Sequence, residues 1–162
     1  MKKILLLVIL VTFFGCSLEK PSQFSKESLT ENFISIEGKE ISIGTILNQY
    51  KGKKVLINVW ASWCKDCIVG LPNLKKLQEE NPTVVYLFLS LDRNIMSWKS
   101  GLDRFDIKGE HYFMKEGKKG AFGSFLNLWW VPRYVAVNEK SDITLYKATK
   151  ITDKNIVEAL KK

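Results

Sequence analysis

Cys64 and Cys67 stand two residues apart, separated by Lys65 and Asp66. That spacing lets two sulfurs close a small ring, or part as thiols, with little backbone change. Cys64 falls where a strand pattern gives way to a helix pattern. A helix start presents unpaired N–H groups and the positive end of the macrodipole, both of which favour an anion. The Cys64 thiol should therefore ionise below its ordinary pKa of about 8.5. The thiolate is the species that attacks a disulfide. Cys67 lies one turn further in, so it should be more buried and act second, releasing a partner held by Cys64. Other readings of the pair remain. A structural bridge is one, although so short a loop constrains the unfolded chain very little. Metal binding is another, although a zinc site takes about four ligands and one CxxC with the single His111 falls short. Inert core cysteines fit poorly with a segment as polar as Trp63-Cys64-Lys65-Asp66.

The elements that hold the pair follow from periodicity. Lys54–Trp60 is a dense β-branched and aromatic run, which predicts a buried central strand. From Cys64 to about Glu80, Cys67, Leu71, Leu74 and Leu77 recur at helical steps, with Pro72 inside and Asn81-Pro82 at the end. Thr83–Ser90 predicts a second buried strand. Asn94 to about Asp103 and Ala121–Leu128 predict helices. Arg133–Val137 and Ile143–Tyr146 predict strands joined by a turn. A last helix should be capped by Thr152. Upstream, Phe33–Ile36 and Ile41–Ile43 alternate around Glu37-Gly38-Lys39-Glu40 and predict a hairpin. Thr45–Tyr50 gives a turn or two of helix ending at Gly52. The order predicts an α/β domain: a mixed central sheet with helices on both faces and an N-terminal β-hairpin extension.

The third cysteine, Cys16, has a different setting. Lys2 and Lys3 precede an apolar run from Ile4 to Phe14, and Gly15-Cys16 follows. A run of about 11 residues is too short for a helix crossing about 30 Å of hydrocarbon. The layout is that of a secretory signal. Phe13-Phe14-Gly15-Cys16 resembles a bacterial lipobox, in which cleavage leaves a lipid-bearing cysteine. Residues 1–15 then read as the signal, 16–32 as a flexible spacer and 33–162 as the domain.

The chain carries 25 basic and 17 acidic residues, a formal charge of +8. Without Lys2 and Lys3, 23 basic residues face 17 acidic ones, a balance of +6. The lysines are scattered, so no basic face for nucleic acid is expected. A mild attraction to anionic lipid suits an anchored protein.

Ile57-Asn58-Val59-Trp60-Ala61-Ser62-Trp63-Cys64, with Cys67 and Pro72 following, resembles the active-site stretch of thioredoxin-like proteins. It is closest to the TlpA/ResA branch of membrane-tethered bacterial thiol–disulfide oxidoreductases. Val131-Pro132, just before a strand, is the second marker. The resemblance implies a thioredoxin-like fold, with Pro132 cis against the cysteines and a backbone edge left free for a substrate segment. It implies a nucleophilic Cys64, a resolving Cys67 and a site shaped by Trp63, Lys65, Asp66, Val131 and Pro132. It also implies a reductant of protein disulfides, resupplied by a membrane electron donor in the cell envelope. No cofactor is implied beyond the Cys64–Cys67 disulfide itself, and no metal; a monomer is expected. Cytochrome apoproteins, misoxidised envelope proteins and dedicated redox enzymes are all open as partners. Two positions depart from the family pattern. Gly70 stands where an acidic residue is usual, and Asn58 where thioredoxins bury an Asp.

Trp60 should be core and Trp63 should shield the disulfide. Trp129 and Trp130 precede the proline; one should flank a substrate groove and the other pack inward. His111 reads as a surface or hydrogen-bonded histidine. The alternative from another class is a carrier holding Cu(I) between two thiolates.

Overall fold

The computed structural model describes residues 20–161. The signal and Cys16 lie outside the described residues. In chain order the elements are α1 (Lys26–Thr30), β1 (Asn32–Ser35), β2 (Glu40–Ser42), α2 (Ile43–Gln49), β3 (Val55–Trp60), α3 (Lys65–Glu80), β4 (Val85–Ser90), α4 (Ile95–Phe105), β5 (Glu110–Phe113), α5 (Ala121–Phe125), β6 (Arg133–Val137), β7 (Ile143–Ala148) and α6 (Lys154–Lys161). The strands form one sheet in the order β2-β1-β5-β4-β3-β6-β7. β4 is parallel to both β3 and β5; the remaining pairs are antiparallel. Every residue of β3 is buried, Asn58 included, as its dense apolar run predicts for a strand covered on both sides.

Side chains alternate along a strand, and register carries that alternation across the sheet. Asn58 and Trp60 therefore share a face with Phe88, Ser90, His111, Phe113 and Tyr134. Trp98 of α4 packs on Phe113 at 5.9 Å between ring centroids. Gly101 of α4 lies over Trp60, and Gly70 of α3 lies over Tyr134. The steps β3 to β4 and β4 to β5 run in the same direction, so right-handed crossovers place α3 and α4 on the same side. The opposite face carries Phe33, which meets Phe122 of α5 edge-on at 5.5 Å. Helices thus cover both faces.

Short polar side chains start the helices. Ser25 caps α1, Ser42 caps α2 and Asn94 caps α4, each accepting an N–H three residues on. At α6 the sequence expectation needs correction: Asp153, not Thr152, accepts the Asn155 N–H at 2.9 Å.

Part of the stretch read as a flexible spacer, from Ser22 onward, packs on the domain. Ile143 N–H donates to the Ser22 carbonyl at 2.7 Å. Phe24 stacks on Phe122 at 5.7 Å, and α1 follows at once. The aromatic contact turns a stretch of polar composition into part of the fold. β5 is the other unforeseen element, a four-residue strand that joins the N-terminal hairpin to the main sheet.

Candidate active site

Cys64 is the N-cap of α3. The Cys67 N–H donates to its Sγ at 3.2 Å, and the two cysteines are disulfide-bonded with Cα atoms 5.3 Å apart. A backbone donor and a 16-residue helix thus both aim positive potential at that sulfur. The cysteines are buried alike, 6% and 4% exposed, so Cys67 is only marginally the deeper.

The turn that delivers Cys64 is fixed from below. β3 and β4 end level, with Trp60 beside Ser90. Asp92, two residues past β4, accepts the Ser62 N–H at 3.1 Å, the Ser62 hydroxyl at 2.6 Å and the Ser90 hydroxyl at 2.8 Å. The Cys64 N–H donates to the Ala61 carbonyl at 3.0 Å. Gly101 closes in from α4: a Cβ there would sit 2.5 Å from the Ser62 Cβ. Neither Asp92 nor Gly101 stood out in the sequence. The readable signal was the Ser90-x-Asp92 pair after a strand parallel to the motif strand.

The facing wall is the loop before β6. The Val131–Pro132 peptide is cis, and the Val131 carbonyl oxygen lies 3.5 Å from Cys64 Sγ. Arg133, the next residue, is fully buried. Its Nη1 donates to the Leu126 carbonyl and its Nη2 to the Asn127 carbonyl at 3.3 Å. Burial holds the guanidinium below its usual pKa. Arg133 therefore ties the end of α5 to the start of β6, and Trp129–Val131 spans between.

Cys64 opens on a cleft of about 350 Å³ lined by Trp63, Lys65, Asp66, Lys118, Trp129 and Trp130, among others. Trp63 is exposed as a rim of the cleft. The expectation of one inward tryptophan at 129–130 is corrected: both are exposed, 62% and 50%, with ring centroids 6.2 Å apart. They lie in a loop, where strand alternation does not apply. Trp60 is core, as expected.

Asn58 is buried beneath the helix side of the sheet, and its Oδ1 has no partner among the described residues. Gly70 has room for a small side chain, with Ile151 Cγ2 3.4 Å and Tyr134 Oη 3.8 Å from a Cβ placed there. His111 is buried rather than on the surface, stacked on Phe88 at 5.0 Å. Its Nε2 donates to the Ile107 carbonyl at 3.0 Å. Among the described residues no group of three His, Cys, Asp or Glu side chains gathers in metal-binding geometry.

Known proteins share both the sequence pattern and the shape. The chain is 26% identical to the thioredoxin-like protein YneN of Bacillus subtilis, over 96% of this chain and 94% of YneN. It is 30% identical to the thiol-disulfide oxidoreductase ResA of Bacillus cereus, over 65% of this chain and 64% of ResA. The thioredoxin domain of a thiol-disulfide oxidoreductase from Bacteroides vulgatus superposes with a TM-score of 0.66 at 18% identity, over 86% of this chain and 97% of that one. The family model for Redoxin matches residues 38–160, from the hairpin turn to the last helix, and takes in both cysteines and the cis proline. With a thioredoxin-like fold built around that dithiol, the chain belongs to the Redoxin family.

Proposed function

We propose that this protein is a thiol–disulfide oxidoreductase that reduces protein disulfides in the bacterial cell envelope. The observation that carries the proposal is Cys64 itself: a sulfur at a helix start, given a backbone N–H and open to a cleft. In the reduced protein the same N–H and helix end would face a thiolate. That thiolate attacks one sulfur of a partner disulfide and expels the other as a thiolate. Cys67, once deprotonated, attacks Cys64 Sγ in the mixed disulfide and releases the second partner thiolate. The partner gains two electrons and, with water, two protons; Cys64–Cys67 becomes a disulfide. Trp63, Lys65, Asp66, Val131 and Pro132 shape the site, and Trp129 and Trp130 wall the substrate groove. No further cofactor takes part. Attachment through a lipid on Cys16 and resupply by a membrane electron donor complete the reading. The likeness to ResA, a thiol-disulfide oxidoreductase, supports the exchange chemistry.

A Cys67→Ser variant of the full chain should accumulate mixed disulfides through Cys64, identified by mass spectrometry after alkylation. Copper bound at the two cysteines of the reduced wild-type chain, with no protein captured by the variant, would replace this reading by that of a Cu(I) carrier.

A further inference from the structure

We propose that the cleft beside Cys64 receives an extended, acidic segment of a partner protein, with one apolar side chain seated among Trp63, Trp129 and Trp130. The inference rests on the reading of Cys64 as the exchanging sulfur and names the kind of segment that reaches it.

Three exposed indoles on one cleft are costly unless something covers them, and tryptophan is enriched where partners bury each other. The loop wall leaves room for an extended chain. The β3–β6 ladder stops at the Val59–Arg133 pair, so Val131 and its carbonyl stand beyond the sheet, beside the sulfur.

The charge around the indoles is what selects the partner. Lys65 and Lys118 line the cleft, and the Lys147 ammonium lies 5.4 Å from the centroid of the Trp129 ring. Among the described residues, Lys65, Lys118 and Lys147 are in no ion pair. Among the described residues Asp66 is the only carboxylate on the cleft lining, and it sits in the first turn of α3, where the macrodipole already draws on its charge. The positive balance of the whole chain acts in the same sense. Unpaired cations around an apolar slot attract carboxylates and repel basic segments, chiefly through the rate of encounter.

The test uses the reduced full-length protein and short synthetic peptides. Each peptide carries one Leu beside a Cys capped with thionitrobenzoate, and the peptides differ only in flanking Glu, Ser or Lys pairs. Attack by Cys64 releases thionitrobenzoate, read by absorbance. At low salt the Glu peptide should react about tenfold faster than the Lys peptide. That ratio should collapse toward unity in about 1 M salt. The double variant Lys118→Glu, Lys147→Glu should invert the ratio. Equal rates for the three peptides, or a faster Lys peptide, would overturn the inference. Neutral hydroxyethyl disulfide is the control. If it oxidises the Cys64–Cys67 dithiol while the peptides go undiscriminated, only the docking inference fails. If it does not react with Cys64, the exchange reading fails and the inference with it.

Discussion

Arg133 occupies a position where a charge has to be satisfied by backbone alone. Its guanidinium is buried, bonded to two carbonyls, and its Nε has no partner among the described residues. Removing it leaves the Leu126 and Asn127 carbonyls without those donors and a hole in the core. Arg133→Ala should cost on the order of 3 kcal/mol in urea unfolding. Arg133→Met keeps most of the volume and sheds the buried charge, so it should cost clearly less than the alanine variant. His111 makes a second residue-scale test. Burial against Phe88 and under α4 pushes its imidazole pKa below the usual 6.5. Its Nε2 must carry the proton given to Ile107, so a second proton would go to Nδ1, which is buried without a partner. The unfolded chain therefore binds more protons than the native one between the depressed pKa and about 6.5, and stability rises with pH through that window. Denaturation midpoints should fall as pH drops below about 6.5, and His111→Phe should remove that part of the slope.

Elements differ in how plainly the sequence declares them. β3 and α3 were legible because their signals are long and change period at one place: an apolar run to Trp60, then Leu71, Leu74 and Leu77 at helical steps. The hairpin was legible from alternation around Gly38, whose φ of 83° suits glycine. β5 was not, because Glu110-His111-Tyr112-Phe113 is too short for a period to show. α1 hid in polar composition, since Phe24 packs only when the distant Phe122 is in place. At the site, the two cysteines announced themselves by spacing and Pro132 through the family resemblance; Asp92, Gly101 and Arg133 act through contacts made only after folding. Gly101 gives the element-scale test. Gly101→Ala would push α4 off the Ser62 turn, with a loss of about 1–3 kcal/mol by denaturant unfolding. Cys64 alkylation in the reduced variant should also slow, because the displaced turn carries that sulfur.

On the scale of the molecule, the sheet has two poles. Trp60, Ser90 and Arg133 lie at one, with the cysteines just beyond. Val55, Val137 and Ile143 lie at the other, six residues of β3 away. The N-terminal segment is stitched to the second pole, where Ser22 meets Ile143. A lipid on Cys16 would therefore pull from behind, through a leash of six residues that reaches about 20 Å at full stretch. With the proposed anchor in place, the body would shield its own sulfurs from the bilayer and turn them outward. Clients diffusing past such a membrane would meet the reactive pole first, whereas the proposed lipid-embedded donor would have to extend a part of itself around or above the domain to recharge it.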